Sequence, residues 1–449
     1  MSNFFKVLHK SSKSKARLGE ISTDHGIIKT PSFVAVGTKG TIKTLTPEMV
    51  RQIKTQVAFV NTYHLVTHPG ADIIAKAGGI HEYSKLDIPL MSDSGGFQVF
   101  SLARNQRVPE EKFSHTRAFP APKGGAPLES DKISRSSTLG RQRKADVRGE
   151  EEPLLVKISE DGVKFRSTFD GQLIEFTPEK SMEYQAKIGA DINMAFDECT
   201  YYPATHEYAS KAMERTHRWL ERCIQYKSSK VQKFESLKGN SKNLQTLKPS
   251  NFETNQYLYG VIQGSTFEDL RKKSAEFVVA QSTPGVAIGG VSVGESKSEM
   301  RDQVRWVADY LPADRPVHLL GVGQVDDIID LVKYGIDTFD CVEPTRLARM
   351  GTLYKMSNVK CQMTNKFQIS NNKLKNEEID ITRAVYKKNL EPVDSECDCY
   401  VCKNFTKSYL HHLFKQREIL GYTLATHHNL WVMEKLFDNI RKAISESRI

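Results

Sequence analysis

The sequence predicts an α/β protein with a (β/α)8 TIM barrel, followed by a smaller helical subdomain at the C-terminal end. Three observations support this prediction. Short apolar runs alternate with helix-like segments, polar residues or glycines follow the runs, and a cysteine cluster precedes the last helical stretch. With 449 residues, of which 39% are hydrophobic, the chain can form a barrel and an appended unit. A doubly wound open sheet is the alternative fold.

Eight apolar runs are candidates for the barrel strands. Each run is nearly continuous rather than alternating, as expected for parallel strands that are buried on both faces. In chain order they are FVAV (33–36), VAFVN (57–61), IPLM (88–91), INMAF (192–196), YLYGVI (257–262), VAIGG (286–290), VHLLG (317–321) and TFDCV (338–342). Eight strands that alternate with helices favour a closed barrel.

Helix signals lie between these runs. The segment TPEMVRQIKTQ opens with Thr46 at the N-cap position and Pro47 at the first helical position. Residues 207–226, 267–282 and 297–311 carry apolar side chains at helical spacing. Helical periodicity resumes after the cysteines, which predicts the helical C-terminal unit.

The chain divides into a barrel domain, residues 1–356, and a C-terminal zinc-binding subdomain, residues 357–449, if the cysteines described below bind metal. Three segments interrupt the βα pattern and are rich in Arg, Lys, Ser, Asn, Pro or Gly. We expect flexible inserts there, at residues 104–154, 227–255 and about 357–382.

Composition points to an anionic partner. The net charge is +10 and the isoelectric point is near 9.0, which favours nucleic acid as that partner. The first residues, MSNFFKVLHKSSKSKARLGE, lack the apolar core of a signal peptide, and no apolar run of about 18 residues occurs. We therefore expect a cytoplasmic protein that does not cross a membrane.

Polar residues and glycines follow the predicted strands. The carboxyl ends of barrel strands surround one mouth, so Asp93, Asp197 and Asp340 should converge there. The residues that follow strands three to six are Asp93, Ser94, Gly95, Gly96, Phe97, Gln98, Asp197, Glu198, Cys199, Thr200, Gln263, Gly264, Ser265 and the segment GGVSVGE (289–295), and strand eight contains Asp340 and leads to Arg346 and Arg349.

Two kinds of chemistry suit three converging carboxylates. They can hold a divalent metal through oxygen ligands. Alternatively, one acts on a sugar as nucleophile and another as general acid or base. The third would then accept hydrogen bonds from a base ring. The neighbouring glycines allow close approach to a flat ligand, and Phe97 is placed to stack on it.

Each residue also has an ordinary structural explanation. Asp93 can shape a turn before its glycines, Asp197 can cap a helix, and Gln263 before glycine is typical of a turn. Phe97 can belong to the core, and Asp340 can pair with a nearby arginine. Asp340 is the hardest to explain in this way, because an apolar strand rarely carries an acid without need.

The cysteine cluster CDCYVC contains Cys397, Cys399 and Cys402. Because the sequence shows no export signal, this spacing favours a metal site over disulfides. Three thiolates and one histidine would close a tetrahedral zinc site, which is typical of a structural role. The spacing does not choose the fourth ligand; the candidates are His411, His412, His427 and His428.

With these residues assembled, the chain resembles the tRNA-guanine transglycosylase family of bacterial type. The resemblance covers most of the chain in order, apart from the three inserts. It rests on the motifs TPSFVAVGTKGTIK, NTYHL, SDSGGFQVFSLA, FDECT, GVIQGS, GGVSVGE, LLGVG, FDCVEPTRLARMGTL, CDCYVC and HHNLW.

The resemblance implies the reaction and the roles of the carboxylates. Asp340 matches the nucleophile that attacks C1′ of guanosine 34 in tRNA with a G-U-N anticodon and expels guanine. A 7-deazaguanine base then replaces guanine through a covalent ribosyl-aspartate intermediate. Asp93 matches the acid/base residue. The substrate-binding positions are Ser94, Gly95, Gly96, Phe97, Asp197, Gln263 and Gly290.

The resemblance also implies a homodimer with one structural Zn²⁺ per subunit. Its ligands would be Cys397, Cys399, Cys402 and His428. The RNA-binding positions would be Gly321, Val322, Gly323, Gln324, Val325, Asp326, Asp327, Thr345, Arg346, Leu347, Ala348 and Arg349.

The entering base is 7-aminomethyl-7-deazaguanine or queuine. Bacterial relatives typically have Val and Cys at the positions of Val293 and Cys199, whereas eukaryotic catalytic subunits usually have Gly at the first position. The chain departs from common bacterial motifs at Val291, Ser292 and Glu343, and also at Leu347.

Two alternative functions have distinct sequence requirements. A non-catalytic tRNA-binding partner subunit would lose one or more of the carboxylates, and this chain keeps all three. A metal-dependent barrel hydrolase would need histidines at the strand ends, and only His64 and His318 lie near them.

Overall fold

A computed structural model describes residues 4–96, 154–167, 170–240, 256–356 and 378–449. Eight parallel strands close into a barrel. They are β4 Ser32–Val36, β5 Ala58–Val60, β6 Leu90–Ser92, β10 Ile192–Met194, β11 Tyr257–Ile262, β12 Gly285–Ile288, β13 Val317–Leu319 and β14 Thr338–Cys341. Around the barrel their order is β10-β11-β12-β13-β14-β4-β5-β6. All eight predicted strands are therefore confirmed, and the open-sheet alternative is excluded.

Within the described ranges, three smaller sheets accompany the barrel. They are antiparallel, and sequence inspection missed them. Their strands are β1 Phe5–Lys10, β2 Arg17–Thr23 and β3 Gly26–Thr30, then β7 Leu154–Ile158, β8 Val163–Arg166 and β9 Leu173–Phe176, and finally β15 Thr352–Tyr354 and β16 Glu378–Asp380.

Helices follow the barrel strands and form the C-terminal unit. Those of the barrel domain are Pro47–Ile53, Thr62–Thr67, Ala71–Lys76, Ile80–Ser84, Pro178–Ile188, His206–Asn240, Glu268–Ala280, Lys297–Val307, Val325–Leu331 and Glu343–Arg349. Those of the C-terminal unit are Tyr400–Asn404, Lys407–Gln416 and Ile419–Ser445. Short 3-10 helices cover Val332–Tyr334 in the barrel domain and Ala384–Tyr386 in the C-terminal unit.

Local sequence accounts for several helix starts. Thr46 caps the first helix, because its hydroxyl accepts a hydrogen bond from the Met49 amide at 3.3 Å, and Pro47 follows. Ser296 and Glu299 form a reciprocal capping box before the helix that carries Arg301. The predicted Thr46 cap is therefore confirmed.

The N-terminal sheet closes the lower end of the barrel. Phe4, Ile21 and Ile28 join one buried cluster with barrel residues such as Met91 and Tyr259. This packing covers the end of the barrel opposite the strand C-termini, so the mouth lies at the other end.

The predicted inserts fall partly outside the described residues. The helix His206–Asn240 continues through the first half of the predicted insert at 227–255, because no proline or glycine interrupts KSSKVQKFESLK. Residues 378–382, predicted as the end of the third insert, contain strand β16. The remaining insert residues, except Leu154 at the start of β7, lie outside the described ranges.

The long helix Ile419–Ser445 joins the C-terminal unit to the barrel. Asn429 donates to the carbonyls of Pro344 and Thr352, both at 3.0 Å, and accepts from the Tyr354 amide. These bonds fix the helix beneath the segment that follows β14. None of the helices that the structure describes is long and apolar enough to span a bilayer.

Candidate functional site

Asp340 lies near the C-terminal end of β14, at the barrel mouth, and its side chain is 14% exposed. Its Oδ1 accepts a hydrogen bond from the Gly321 amide at 2.9 Å. The same oxygen lies 3.2 Å from Nε2 of His318. The carboxylate is therefore held by one backbone amide and lies beside a buried imidazole.

Asp93 follows β6 and is buried. Its Oδ1 accepts from the amides of Thr62, at 2.7 Å, and Gly95, at 3.2 Å. Asn61 donates its side-chain amide to the other oxygen. Asn61 and Thr62, the first two residues of the motif NTYHL, therefore orient Asp93, a role that the sequence alone did not predict.

Asp197 follows β10 and is also buried. It accepts hydrogen bonds from Ser94 Oγ at 2.9 Å and Gln263 Nε2 at 2.7 Å. Burial and, to a lesser extent, the charge of Asp93 raise the pKa of Asp197 to about 6, although the two hydrogen bonds favour its ionised form. A helix-capping role is not needed to explain Asp197, because its carboxylate oxygens accept from Ser94, which follows β6, and from Gln263, which follows β11.

Gln263 and Gly290 lie against one another beside Asp197. Gly290 has φ +62°, and a Cβ there would lie 2.2 Å from Oε1 of Gln263, so only glycine fits. That Oε1 is buried and has no hydrogen-bond partner among the described residues. An unsatisfied acceptor beside a carboxylate suits a ligand that presents N–H groups.

Contacts with Ser181 and Phe176 hold Ser94 and Gly95 in place. The Ser181 hydroxyl donates to the Ser94 carbonyl at 2.7 Å. Gly95 has φ +81°, and a Cβ there would lie 2.6 Å from the Phe176 ring. Gly96 is buried beside them, and Phe97 lies outside the described residues.

Arg271 was not among the predicted site residues, although it supports the site directly. It is fully buried and donates to the carbonyls of Gly289 at 2.6 Å and Gly290 at 2.7 Å. Burial lowers the pKa of Arg271 to about 10. Its position in the buried stripe with Leu270, Ser274 and Val278 was the available signal, because charged residues rarely occupy such a stripe unpaired.

Cys199 and Cys341 are thiols near the mouth. Burial raises the pKa of Cys199 well above its usual range and that of Cys341 to about 12. Both thiols therefore stay protonated at neutral pH, which suits packing rather than nucleophilic attack.

The predicted RNA-binding positions are unequally accessible. Gly321 and Gln324 are exposed, and Val325, Asp326, Arg346, Leu347 and Arg349 are partly exposed. Asp326 and Asp327 pair with Lys297 and Arg301. The buried members of the predicted set are Val322, Gly323, Asp327, Thr345 and Ala348. The buried members hold the two segments, 321–327 and 345–349, in place, and the exposed and partly exposed members are accessible to a ligand at the surface.

The cysteine cluster forms a second site in the C-terminal unit. The thiols of Cys397, Cys399 and Cys402 and the His428 ring are buried, and their ligand atoms lie within 4.8 Å of one another. His428 Nδ1 lies 3.4 Å from the sulfurs of Cys399 and Cys402 and 3.9 Å from that of Cys397. A tetrahedral zinc site has N to S separations of about 3.6 Å. These four residues therefore fit a zinc ion.

Histidine 428 has the second hydrogen bond that metal-binding histidines need. Its Nε2 lies 2.8 Å from the Tyr354 carbonyl, which fixes Nδ1 as the atom that faces the thiols. His411 instead directs its Nδ1 to the Ile381 carbonyl at 2.8 Å. Of the four candidate histidines, the structure brings His428 to the cysteines.

Comparison with known proteins agrees with this geometry. The family model described as Queuine tRNA-ribosyltransferase matches residues 11–119 and 146–449. A queuine tRNA-ribosyltransferase of Thermoanaerobacter pseudethanolicus is 40% identical over 445 residues, covering 99% of this chain and 94% of the relative. The enzyme of that name from Halothermothrix orenii is 36% identical over 449 residues, covering 100% and 95%.

A third relative, from Lysinibacillus sphaericus, is 36% identical over 445 residues, covering 99% of this chain and 93% of its own length. These relatives are bacterial, in agreement with the bacterial-type motifs. With nearly full coverage of both chains, the resemblance is confirmed, and the chain belongs to the queuine tRNA-ribosyltransferase family, a family of pentosyltransferase enzymes.

Proposed function

We propose that this protein exchanges the wobble guanine of tRNAs with a G-U-N anticodon for a 7-deazaguanine base. The entering base is 7-aminomethyl-7-deazaguanine or queuine. The exchange proceeds by double displacement through a covalent ribosyl-aspartate intermediate on Asp340. The names of the relatives support the class of reaction, and the mouth of the barrel supports the mechanism.

One observation carries the proposal: three carboxylates share the mouth, and each has a different set of neighbours. Asp197 and the unsatisfied Gln263 Oε1 offer acceptors to the N–H edge of a guanine-like ring. Asp93 accepts hydrogen bonds from Asn61, Thr62 and Gly95, and Asp340 is partly exposed toward the mouth. This arrangement suits recognition, proton transfer and nucleophilic attack, respectively.

In the first step, an Asp340 oxygen forms a bond to C1′ while the bond from C1′ to N9 of guanine breaks. Its electron pair passes to N9, which takes a proton from the protonated form of Asp93 and leaves Asp93 ionised for the second step. In the second step, Asp93 accepts the proton from the ring nitrogen of the incoming base. That nitrogen then attacks C1′, and the electron pair of the ester bond returns to Asp340. The two inversions retain the configuration at C1′. An anticodon base has to be unstacked before its C1′ can be reached.

The identity of the entering base depends on the loop after β12. Glu295 holds this loop, because its carboxylate accepts from the amides of Ser292 at 2.6 Å and Val293 at 2.9 Å. Val293 is partly buried next to this carboxylate. A valine side chain narrows the pocket compared with glycine, which favours the smaller 7-aminomethyl base.

The remaining features follow from the same proposal. The exposed members of the strips 321–327 and 345–349 contact the tRNA, with Arg346 and Arg349 directed at phosphates. Cys397, Cys399, Cys402 and His428 hold one structural zinc ion. The enzyme acts as a homodimer in the cytoplasm, where its tRNA is found.

The test is incorporation of labelled guanine into an unmodified tRNA with a G-U-N anticodon, followed by a chase with each deazaguanine base. We expect the label to enter and one base to displace it. A tRNA with guanine 34 replaced by adenine is the matched control and should take up no label. If folded, zinc-loaded protein binds the tRNA without incorporating label, the protein is a non-catalytic partner subunit instead.

A further inference from the structure

His318 is a buried group beside Asp340 that the mechanism above does not use. It lies in β13 with no exposed surface, and its Nε2 is 3.2 Å from Asp340 Oδ1. Among the described residues, Nε2 makes no aligned hydrogen bond. Because leaving a buried polar atom unsatisfied is costly, this atom calls for a functional explanation.

The strand register explains why the ring lies there. His318 pairs with Thr338 across β13 and β14, and Asp340 is two residues further along β14. Side chains two apart on a strand share a face, so all three point to the barrel interior. The Phe59 ring stacks on the imidazole, with centroids 5.8 Å apart and planes 19° apart. The ring is thus held with its Nε2 edge toward Asp340.

The surroundings also select the tautomer. Nδ1 lies 2.9 Å from the Thr338 hydroxyl. A lone pair on Nε2 would face the Asp340 carboxylate and repel it, so the proton belongs on Nε2. Nδ1 is then the acceptor, and the Thr338 hydroxyl donates to it.

We propose that His318 is a positioning residue whose Nε2–H, 3.2 Å from Asp340 Oδ1 but not aligned with it in the free protein, donates to that oxygen as the ribosyl ester breaks and promotes release of the carboxylate. The inference rests on the proposed function. Together with the Gly321 amide, the Nε2–H of His318 occupies Oδ1 and leaves Oδ2 to bond to C1′. When the incoming base breaks that bond, negative charge returns to the carboxylate. Two donors on Oδ1 stabilise the charged carboxylate more than the neutral ester, so they speed the second step.

Two substitutions separate this role from simple packing. In His318→Gln, the side-chain amide nitrogen reaches the position of Nε2 and keeps the donor. In His318→Asn, the shorter amide reaches only the position of Nδ1 and keeps the contact to Thr338. We expect His318→Asn to slow breakdown of the covalent adduct by guanine about 10- to 100-fold, with little change in its formation. His318→Gln should stay within about threefold of the unchanged protein in both steps.

The measurement traps the adduct with unmodified tRNA and follows its loss on a denaturing gel after excess guanine is added. Zinc content and melting temperature show whether each variant is folded. Adduct breakdown at the original rate in His318→Asn, or equal slowing in both variants, would overturn the proposal. Unchanged protein that forms no adduct would overturn the proposed function as well, so the two failures are distinguishable.

Thr338→Val provides an independent variant that retains the imidazole. Loss of the hydroxyl removes the donor to Nδ1, so the tautomer with the proton on Nδ1 becomes accessible. We expect adduct breakdown to slow about 2- to 10-fold. Unchanged breakdown in this variant would contradict the tautomer on which the proposal depends.

Discussion

An aspartate lies at each end of strand β14, and the two have opposite surroundings. At the lower end, Asp337 is fully buried and accepts two hydrogen bonds from the Arg17 guanidinium, at 3.0 and 2.6 Å. Its second oxygen also accepts from the Val317 amide at 2.8 Å. At the upper end, Asp340 has the Gly321 amide and the His318 ring. The first carboxylate is neutralised by a cation, whereas the second pairs with no Lys or Arg in the part of the chain that the structure describes.

The two aspartates that flank strand β10, Asp191 and Asp197, show the same contrast. Asp191 precedes the strand and lies 2.8 Å from His25 and 3.2 Å from His81. Burial opposes ionisation, but the hydrogen bonds from these rings and the Leu90 amide outweigh it and lower the pKa of Asp191. Asp197 follows the strand, and its side-chain donors within the described ranges, Ser94 and Gln263, are neutral. Its pKa is raised to about 6, mainly by burial.

The difference shows how one fold separates stability from chemistry. A buried carboxylate that is fully paired with a cation holds the structure together but has little left to offer a ligand. A carboxylate supported by neutral donors keeps its charge available, at a cost in stability. The lower end of this barrel is built in the first way, and the mouth is built in the second.

The largest expected effect comes from Asp340→Asn. Without the nucleophile, we expect guanine exchange to fall by at least about 10⁴-fold and the covalent adduct to disappear. Because Asp340 makes few stabilising contacts, the urea midpoint should stay the same or rise slightly. The measurements are label incorporation and urea denaturation. Appreciable exchange in this variant would remove Asp340 as the nucleophile.

Next in size is the effect of Cys399→Ser on the C-terminal unit. Loss of one thiolate should release zinc, and apparent binding energies of structural zinc reach about 10 kcal/mol or more. We expect the C-terminal helices to lose protection from hydrogen exchange while the barrel keeps most of its own. Metal analysis and hydrogen exchange check this outcome. The control is Cys223→Ser, a buried thiol outside the cluster, in which zinc content should not change.

Arg17→Ala tests the lower end of the barrel. It leaves Asp337 buried without its cation, so we expect a loss of about 3–5 kcal/mol in the free energy of unfolding. Activity per folded molecule should remain within about twofold, since the pair lies at the end of the barrel away from the mouth. Urea denaturation and exchange assays measure the two effects. A large loss of kcat without a loss of stability would break the comparison between the two ends.

The sequence predicted the barrel because its signal is local. Eight continuous apolar runs are visible one at a time, and residues after parallel strands must meet, so Asp93, Asp197 and Asp340 could be grouped in advance. The pairing of Arg17 with Asp337 could not, because 320 positions separate the two residues. The sheet β1–β3 was missed because its half-exposed strands lack a continuous apolar run.

The metal site shows the same limit. The spacing of the thiols indicated a site, while the fourth ligand depends on which face of the helix Ile419–Ser445 turns toward them. Arg271 was missed because a single charged residue in a helical stripe has no spacing motif to mark it. Its role follows from the distances to the Gly289 and Gly290 carbonyls, which only the folded chain provides.

The smallest effect is the pH dependence that the comparison predicts for the mouth. Ionised Asp197 is the form that accepts N–H donors from the base. Its pKa of about 6 means that this form is lost as the pH falls below 6. We therefore expect the KM for guanine to rise about tenfold per pH unit below 6, while the KM for tRNA changes little. The measurement is guanine exchange between pH 5 and 8.

Two variants sharpen the assignment of this titration to Asp197. Ser94→Ala removes a donor to the carboxylate, which favours the neutral form and should move the midpoint to higher pH. Asp197→Asn removes the titrating group, so the KM for guanine should be high at every pH and no longer depend on it. An unshifted midpoint in Ser94→Ala, together with a surviving pH dependence in Asp197→Asn, would assign the titration to another group and erase the contrast with Asp191.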